Sequence, residues 1–221
     1  MSRPASRAVA SRRPDPERPA RRPRPVDNPS VATIDIPIPS LVVLIGASGA
    51  GKTTLAARLF DPTEIVSSDD LRAVVSGAAA DQRATRTAFQ ILHREVGRRL
   101  ARGRLVVVDA TNIERGARLS LLRLARAAGA PAIALVLLGS ATDVHARNAS
   151  RPGRVVPSDV VARHLERLAR LGTDPAEVAG SLLGEGFAAA HVLSTTAAID
   201  ALRQVRRVPR PRVARDPLSP P

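Results

Sequence analysis

The sequence contains a stretch of glycines followed by a lysine and a threonine, whose spacing is suited to binding phosphate. Gly46-Ala47-Ser48-Gly49-Ala50-Gly51-Lys52-Thr53 matches the pattern G-x-x-x-x-G-K-[ST] at every fixed position, and Thr54 follows it. The glycines let backbone N–H groups approach phosphate oxygens, Lys52 would reach the β- and γ-phosphates, and Thr53 would ligate Mg²⁺. Residues 46–54 therefore predict a site for ATP and Mg²⁺. The alternative interpretation is a glycine-rich turn with an incidental lysine.

Lys52 is the one lysine among the 34 basic residues, and the other 33 are arginines. A chain that uses arginine at every other basic position has kept a lysine here. This choice indicates that the position needs a compact ammonium on a flexible stem and not a planar guanidinium.

Two acidic residues and an arginine follow the second predicted strand. Asp69 and Arg72 lie one helical turn apart, so both side chains should point to the same side of a cleft. A carboxylate near the γ-phosphate can accept the proton of an attacking hydroxyl, and an arginine beside it can hold an anionic group. Asp70 is the competing acid, expected to favour the helix N-terminus. The same structural role is the alternative for Asp69.

Asp109 stands at the end of a buried apolar run, which is the position of a Walker-B aspartate. There it would contact Mg²⁺ through water or orient Thr53. A strand-terminal aspartate that caps the following turn is the alternative.

Arg147, Arg151 and Arg154 follow the fourth predicted strand at spacings of four and three. Arginines on a segment that pivots at Pro152 and Gly153 would suit a closing lid, because phosphoryl transfer spreads negative charge over the γ-phosphate oxygens. A solvated basic helix is the alternative. The four histidines, His93, His145, His164 and His191, show no metal-ligand spacing and are expected on helix faces or in the core.

These residues need elements that end at a common edge, and the apolar pattern supplies them. Apolar runs predict strands at 41–45, 64–67, 105–108, 132–138 and 188–193. Amphipathic spacing predicts helices at 52–60, from 68, and at 81–101, 113–128, 141–148 and 160–171. Such alternation predicts an α/β fold with a parallel sheet, helices on both faces, and ligands at the carboxyl ends of the strands.

Composition divides the chain into one domain and two arms. Residues 1–30 and 203–221 each carry a net charge of +5 out of +14, are rich in arginine and proline, and lack periodicity, so both are predicted to be disordered. The remainder, residues 31–202, is the predicted domain. The arms would capture nucleic acid, or they reflect a coding bias that leaves solvated tails. A targeting peptide does not fit their dense proline.

The sequence contains no cysteine and no apolar run of membrane-spanning length. A cytoplasmic location is therefore expected, and a membrane partner is not.

Together these motifs resemble the kinase domain of polynucleotide kinases, and most closely the kinase module of bacterial polynucleotide kinase-phosphatases that repair RNA ends. The similarity covers about residues 41–195 and is carried by residues 46–54, 66–72, 81–89, 106–112, 147–152 and 156–157. It implies a P-loop fold of the nucleoside-monophosphate-kinase type with an arginine-bearing lid.

The resemblance also implies a reaction, in which the γ-phosphate of ATP moves with Mg²⁺ to the 5′-hydroxyl end of RNA or DNA. By this similarity Asp69 matches the general base, Arg72 matches the residue beside the terminal nucleoside, and Arg147 and Arg151 match the lid arginines on the ATP phosphates. The phosphatase and ligase modules of those enzymes have no counterpart in these 221 residues. The identity of the acceptor is therefore open, and a small-molecule or tRNA-related acceptor is the alternative. A nucleotide-dependent binding switch that transfers no phosphate is a further alternative.

Overall fold

The fold is built on a sheet of apolar strands alternating with amphipathic helices. The computed structural model describes residues 33–75, 82–151 and 155–210. A short 3-10 helix spans Pro62–Glu64. The other elements, in chain order, are β1 Thr33–Ile38, β2 Leu41–Ile45, α1 Lys52–Leu59, β3 Ile65–Ser67, α2 Ser68–Val75, α3 Gln82–Ala101, β4 Val106–Asp109, α4 Arg115–Ala127, β5 Ala132–Leu137, α5 Ala141–Ala149, α6 Ser158–Ala169, α7 Pro175–Glu185, β6 Ala189–Leu193, α8 Thr196–Ala201 and β7 Gln204–Pro209.

Five parallel strands form the main sheet in the order β3-β4-β2-β5-β6. Every residue of β2, β4 and β5 is buried, as expected for parallel strands covered on both faces. The strand order reverses at β2, because the chain leaves it first toward β3 and β4 and later toward β5 and β6. Ligands bind at such a switch point in α/β folds, and the phosphate-binding stretch begins directly after β2.

The predicted α/β fold with a parallel sheet is confirmed. All five predicted strands and the six predicted helices are present, and their ends differ by a few residues at most. The sequence analysis did not predict β1, β7, α7 or α8. Helix α7 has clear local signals, because the Asp174 carboxylate accepts from the Glu177 N–H at 2.9 Å, Pro175 is its first residue, and Gly186 follows its end at φ 114°.

Strands β1 and β7 pair in parallel as a separate two-stranded sheet. Alternate residues Ile34 and Ile36 of β1 are buried in the hydrophobic core, and so is Val205 of β7. On the exposed side, the Arg206 guanidinium donates twice to the Asp35 carboxylate, at 2.6 and 2.7 Å. The pair therefore attaches the C-terminal strand to the start of the domain.

This second sheet corrects the predicted boundary at residue 203. Residues 204–209 were assigned to a disordered arm, and that assignment is wrong because they form β7. The strand was missed because two arginines interrupt its apolar alternation and because its partner lies about 170 residues earlier in the chain. Residues 1–32 and 211–221 lie outside the described part of the chain.

A buried ion pair joins helices α4 and α7. The Arg118 side chain on α4 is 2% exposed, and it donates to both carboxylate oxygens of Glu185 at the end of α7, at 2.6 and 2.7 Å. It also donates to the carbonyl oxygens of Asn112 and Ile113. The ion pair thereby holds the loop that follows β4.

No helix within residues 33–75, 82–151 and 155–210 combines the length and the apolar character needed to cross a bilayer.

Candidate active site

Residues 46–51 join the central strand to helix α1 as a tight loop. Gly49 and Gly51 have φ angles of 87° and 93°, which L-residues other than glycine rarely adopt. A Cβ atom on Gly49 would lie 2.5 Å from the Val144 carbonyl oxygen. Because α1 begins at Lys52, the N–H groups of its first turn have no acceptors within the helix. The loop therefore presents backbone donors at a helix N-terminus, which is an anion-binding arrangement.

The Lys52 ammonium lies against the start of this loop. Its Nζ donates to the carbonyl oxygens of Gly46 at 2.9 Å and Ala47 at 2.8 Å. Burial lowers the pKa of Lys52 to about 8, the Asp109 carboxylate opposes this shift, and the Arg151 guanidinium adds to it. The ammonium is thus buried and held by neutral acceptors, and an incoming polyanion would stabilise its charged form.

The Thr53 hydroxyl donates to the Asp109 carboxylate at 2.7 Å. Asp109 ends β4 beside β2, which explains the contact between residues 56 positions apart in the chain. The loop after β4 is held by Asn112, at φ 47°, whose Nδ2 donates to the Leu44 carbonyl at 2.7 Å. Thus the predicted neighbours of Mg²⁺ contact each other, and Asn112 is a supporting residue that the sequence analysis did not single out.

Asp69 forms ion pairs with two arginines that also line the cleft. Its carboxylate forms an ion pair with Arg72 on its own helix and another, at 3.2 Å, with Arg151 beyond α5. All three line the same cavity of about 640 Å³ as Lys52. Asp70 is exposed and is not among the residues lining this cavity. The structure therefore places Asp69 and Arg72 on the same side of the cleft, as their spacing predicts.

Arg147 also reaches the cleft. Its guanidinium donates to the Asp143 carbonyl at 3.2 Å and to the Thr196 hydroxyl at 3.3 Å. A Cβ atom on Gly51 would lie 3.7 Å from Arg147 Nη1, so the guanidinium is next to the loop. The proposed pivot at 152–153 and Arg154 lie outside the described residues.

A buried asparagine fixes the base of the segment that carries Arg151. The Asn148 side chain donates to the Val156 carbonyl at 2.7 Å and accepts from the Val156 N–H at 3.2 Å. Its Cβ also packs against Gly49, because a Cβ atom at that glycine would lie 3.0 Å away. Asn148 therefore connects both ends of residues 149–155 to the phosphate loop.

His164 is a cleft residue that the sequence analysis placed on a helix face or in the core. It lies on α6 and lines the cavity, and its Nδ1 is 3.5 Å from the Ser48 backbone nitrogen. No spacing in the sequence signals this contact, because Ser48 is 116 residues away.

The side chains fit a nucleoside triphosphate with Mg²⁺. The glycine positions leave room for phosphate oxygens at the backbone, and the buried ammonium supplies a compensating charge. Within the described residues, no group of three or more His, Cys, Asp or Glu side chains could hold a metal ion. A magnesium ion would therefore rely on Thr53 and Asp109 together with nucleotide oxygens and water.

The phosphate loop and the cleft residues lie in a segment whose sequence matches a known protein family. The AAA domain model, AAA_33, matches residues 41–173, more than half of the chain. No curated protein matches the sequence.

Solved structures align with this chain at 18–21% identity. One chain of the Pnkp1/Rnl/Hen1 RNA repair complex aligns with TM-score 0.52 and 20% identity. The alignment covers 61% of the present protein and 45% of the RNA repair chain. A gluconokinase from Sinorhizobium meliloti aligns with TM-score 0.44 and 21% identity over 75% of this chain and 93% of its own. The Mycobacterium tuberculosis APS kinase, solved with AMPPNP and APS, aligns with TM-score 0.41 and 18% identity over 52% of this chain and 71% of its own. Because the AAA_33 model matches residues 41–173, the chain belongs to the AAA domain family AAA_33, and its phosphate loop at residues 46–53 lies within the matched segment.

Proposed function

We propose that this protein is an ATP-dependent kinase that transfers the γ-phosphate to the 5′-hydroxyl end of a polynucleotide, RNA or DNA. The observation that carries the proposal is the position of Asp69, which lies between Arg72 and Arg151 in the cavity that Lys52 also lines. A base beside a phosphate cradle, with arginines on either side, suits transfer of a phosphoryl group to a hydroxyl.

The cradle consists of the N–H groups and side chains of residues 46–54. In the proposed complex Lys52 holds the β- and γ-phosphates, while Thr53 and Asp109 would hold Mg²⁺. The ion, when bound, would neutralise charge on the phosphate oxygens during transfer. Arg147, next to Gly51, would contact the phosphates from the lid side.

Asp69 is the proposed general base. A bound triphosphate carries more negative charge than one carboxylate, so it would attract Arg151 and release the Asp69 carboxylate. Asp69 would then take the proton of the acceptor hydroxyl as the hydroxyl oxygen bonds to the γ-phosphorus. The bond from that phosphorus to the bridging oxygen breaks, and ADP leaves.

Three observations support a polynucleotide as the acceptor. The motifs at residues 66–72, 106–112 and 147–152 resemble those of polynucleotide kinases, and the chain has a net charge of +14. The fold is shared with one chain of an RNA repair complex. In the proposed complex Arg72 holds the phosphate beside the terminal nucleoside. With three phenylalanines as the only aromatics, contacts to phosphate from arginine must dominate the binding.

We further propose a domain organisation in which the kinase domain begins near residue 31 and continues through β7, and the arginine-rich segments outside it assist capture of the acceptor. Extension beyond residue 202 follows from the pairing of β1 with β7.

A small-molecule or tRNA-related acceptor is the second candidate, favoured by a cavity of about 640 Å³, a size typical of small-ligand sites. A screen with γ-labelled ATP separates the candidates, including a binding switch that transfers nothing. We expect label on RNA or DNA oligonucleotides with a 5′-hydroxyl and none on the same oligonucleotides with a 5′-phosphate. Label on a small hydroxyl compound alone would contradict the polynucleotide proposal.

A further inference from the structure

His164 approaches the phosphate loop from a helix distant in sequence. The ring lies on α6 and lines the cleft together with Lys52, and its Nδ1 lies 3.5 Å from the Ser48 nitrogen. The Lys52 ammonium bonds to the carbonyls of Gly46 and Ala47, the residues just before Ser48. Imidazole and ammonium therefore meet at the same end of the loop. Because a P-loop lysine reaches the β- and γ-phosphates, this end is that of the terminal phosphates.

The surroundings of His164 favour its neutral form. Burial lowers the pKa of the imidazole most, and the positive charges of Lys52, Arg167 and Arg163 lower it further, whereas the Glu114 carboxylate opposes them. A neutral ring that accepts from the Ser48 N–H at Nδ1 carries its hydrogen on Nε2.

A phosphate oxygen at the Ser48 N–H would change this arrangement. The N–H would then donate to the oxygen at about 2.9 Å, and that oxygen would lie close to Nδ1. Two acceptors, an oxygen and an unprotonated nitrogen, repel each other at this distance. The conflict is relieved if Nδ1 carries a hydrogen, since the ring then donates to the phosphate.

We propose that His164 is a phosphate-sensing contact of the cleft: it accepts from the Ser48 N–H in the free protein and donates from Nδ1 to the terminal phosphate of bound ATP. The proposal rests on the proposed use of ATP and not on the identity of the acceptor. His164 would thereby favour ATP over ADP, because the contact is made to the γ-phosphate, which ADP lacks.

The test compares binding of ADP and of the β,γ-imido analogue of ATP, measured by titration calorimetry on the full chain without acceptor. His164→Leu keeps bulk and removes the donor, and His164→Asn keeps a nitrogen near the position of Nδ1. His93→Leu is the matched control, because His93 is also half-buried but lies on α3 and is not among the residues lining the cleft.

We expect His164→Leu to weaken binding of the analogue by about 10- to 100-fold, the value of a hydrogen bond to a charged group, and to change ADP binding by less than about 3-fold. His164→Asn should restore most of the difference, and His93→Leu should leave the ratio of the two affinities unchanged. If His164→Leu weakened binding of ADP and of the analogue equally, His164 would only support the loop, and the proposal would be overturned. The proposal would also be overturned if His164→Leu changed neither affinity. If the His164 variants change the two affinities as expected but the wild-type protein labels no 5′-hydroxyl end, the proposed function fails and this inference stands.

Discussion

Lys52 is the one buried residue among the proposed catalytic residues. It is buried, and it donates to two carbonyl oxygens at 2.8 and 2.9 Å. A guanidinium is planar and larger, so it cannot occupy the same space between Gly46 and Ala47 without moving the loop. We therefore expect Lys52→Arg to lower turnover by ~10²–10³-fold although the charge is kept, as for loss of a preorganised donor. Phosphorylation by the purified variant at near the wild-type rate would contradict this prediction.

Asp69 and Asp70 form an internal control for the general base. Both carboxylates are exposed, but Asp69 lines the cleft and the neighbouring Asp70 does not. Asp69→Asn should still bind ATP through the loop, yet its turnover should fall by ~10²–10⁴-fold, which is typical of a missing general base. Asp70→Asn should cost only a few tenths of a kcal/mol of stability, through the helix N-terminus. Steady-state labelling of a 5′-hydroxyl oligonucleotide measures the turnover of both variants, and that of Asp70→Asn should stay at the wild-type value. Loss of activity in Asp70→Asn alone would shift the assignment by one residue.

Contacts between site residues that are close in the chain could be predicted from the sequence, whereas contacts between residues distant in the chain were harder to predict. The phosphate loop is a local pattern, and the proximity of Thr53 to Asp109 follows from adjacent strands. In contrast, the contact of His164 with Ser48 depends on where α6 packs, which no spacing encodes. The ion pair between Arg151 and Asp69 is of the same kind.

Among the elements, α4 and α7 are joined by a buried ion pair that also supports the loop after β4. Glu185→Ala would leave the Arg118 guanidinium buried without its partner. We expect this change to lower the free energy of unfolding by ~3–5 kcal/mol, the usual cost of an unpaired buried charge. Urea denaturation of the purified variant measures the loss.

The exposed ion pair between Asp35 and Arg206 is the control for this prediction. Both side chains are largely in solvent, so Asp35→Ala should cost no more than ~1 kcal/mol. The double variant Arg118→Met with Glu185→Leu should be more stable than Glu185→Ala, because it removes both charges. If Glu185→Ala were as mild as Asp35→Ala, the buried pair would contribute little to the fold.

The buried strands β2, β4 and β5 could be predicted from sequence because each overlaps a continuous apolar run of four to six residues, at 41–45, 105–108 and 132–137. Strand β7 could not, because of its six residues only Val205 is buried and two are arginines. Its stability comes from β1 and from the ion pair of Arg206 with Asp35, contacts that exist only in the folded chain. Composition alone therefore assigned β7 to an arm.

For the whole molecule, β7 changes how the basic charge is distributed. Arg206 and Arg207 were counted with the C-terminal arm, yet they form ion pairs with Asp35 and Glu64. These two arginines are partly neutralised on the domain, so they contribute less to capture of an anionic acceptor. The N-terminal segment 1–30, with eight arginines and three acids, holds the larger basic charge outside the domain. It is the better candidate for long-range attraction of a polynucleotide.

Removal of residues 1–30 together with 211–221 tests this role against a role in chemistry, because none of the motifs lies in either segment. A protein shortened to residues 31–210 keeps β7 and should retain its turnover at saturating acceptor. Its affinity for a single-stranded oligonucleotide should become less salt-sensitive, with the slope of log affinity against log salt reduced by about 0.7 for each phosphate that the shortened protein no longer neutralises. A protein shortened to residues 31–202 is the matched control, since it exposes Ile34 and Ile36 of β1 and should be less stable. A collapse of turnover in a well-folded 31–210 protein would instead place one of the removed segments in the active site, because saturating acceptor removes any effect of weaker capture.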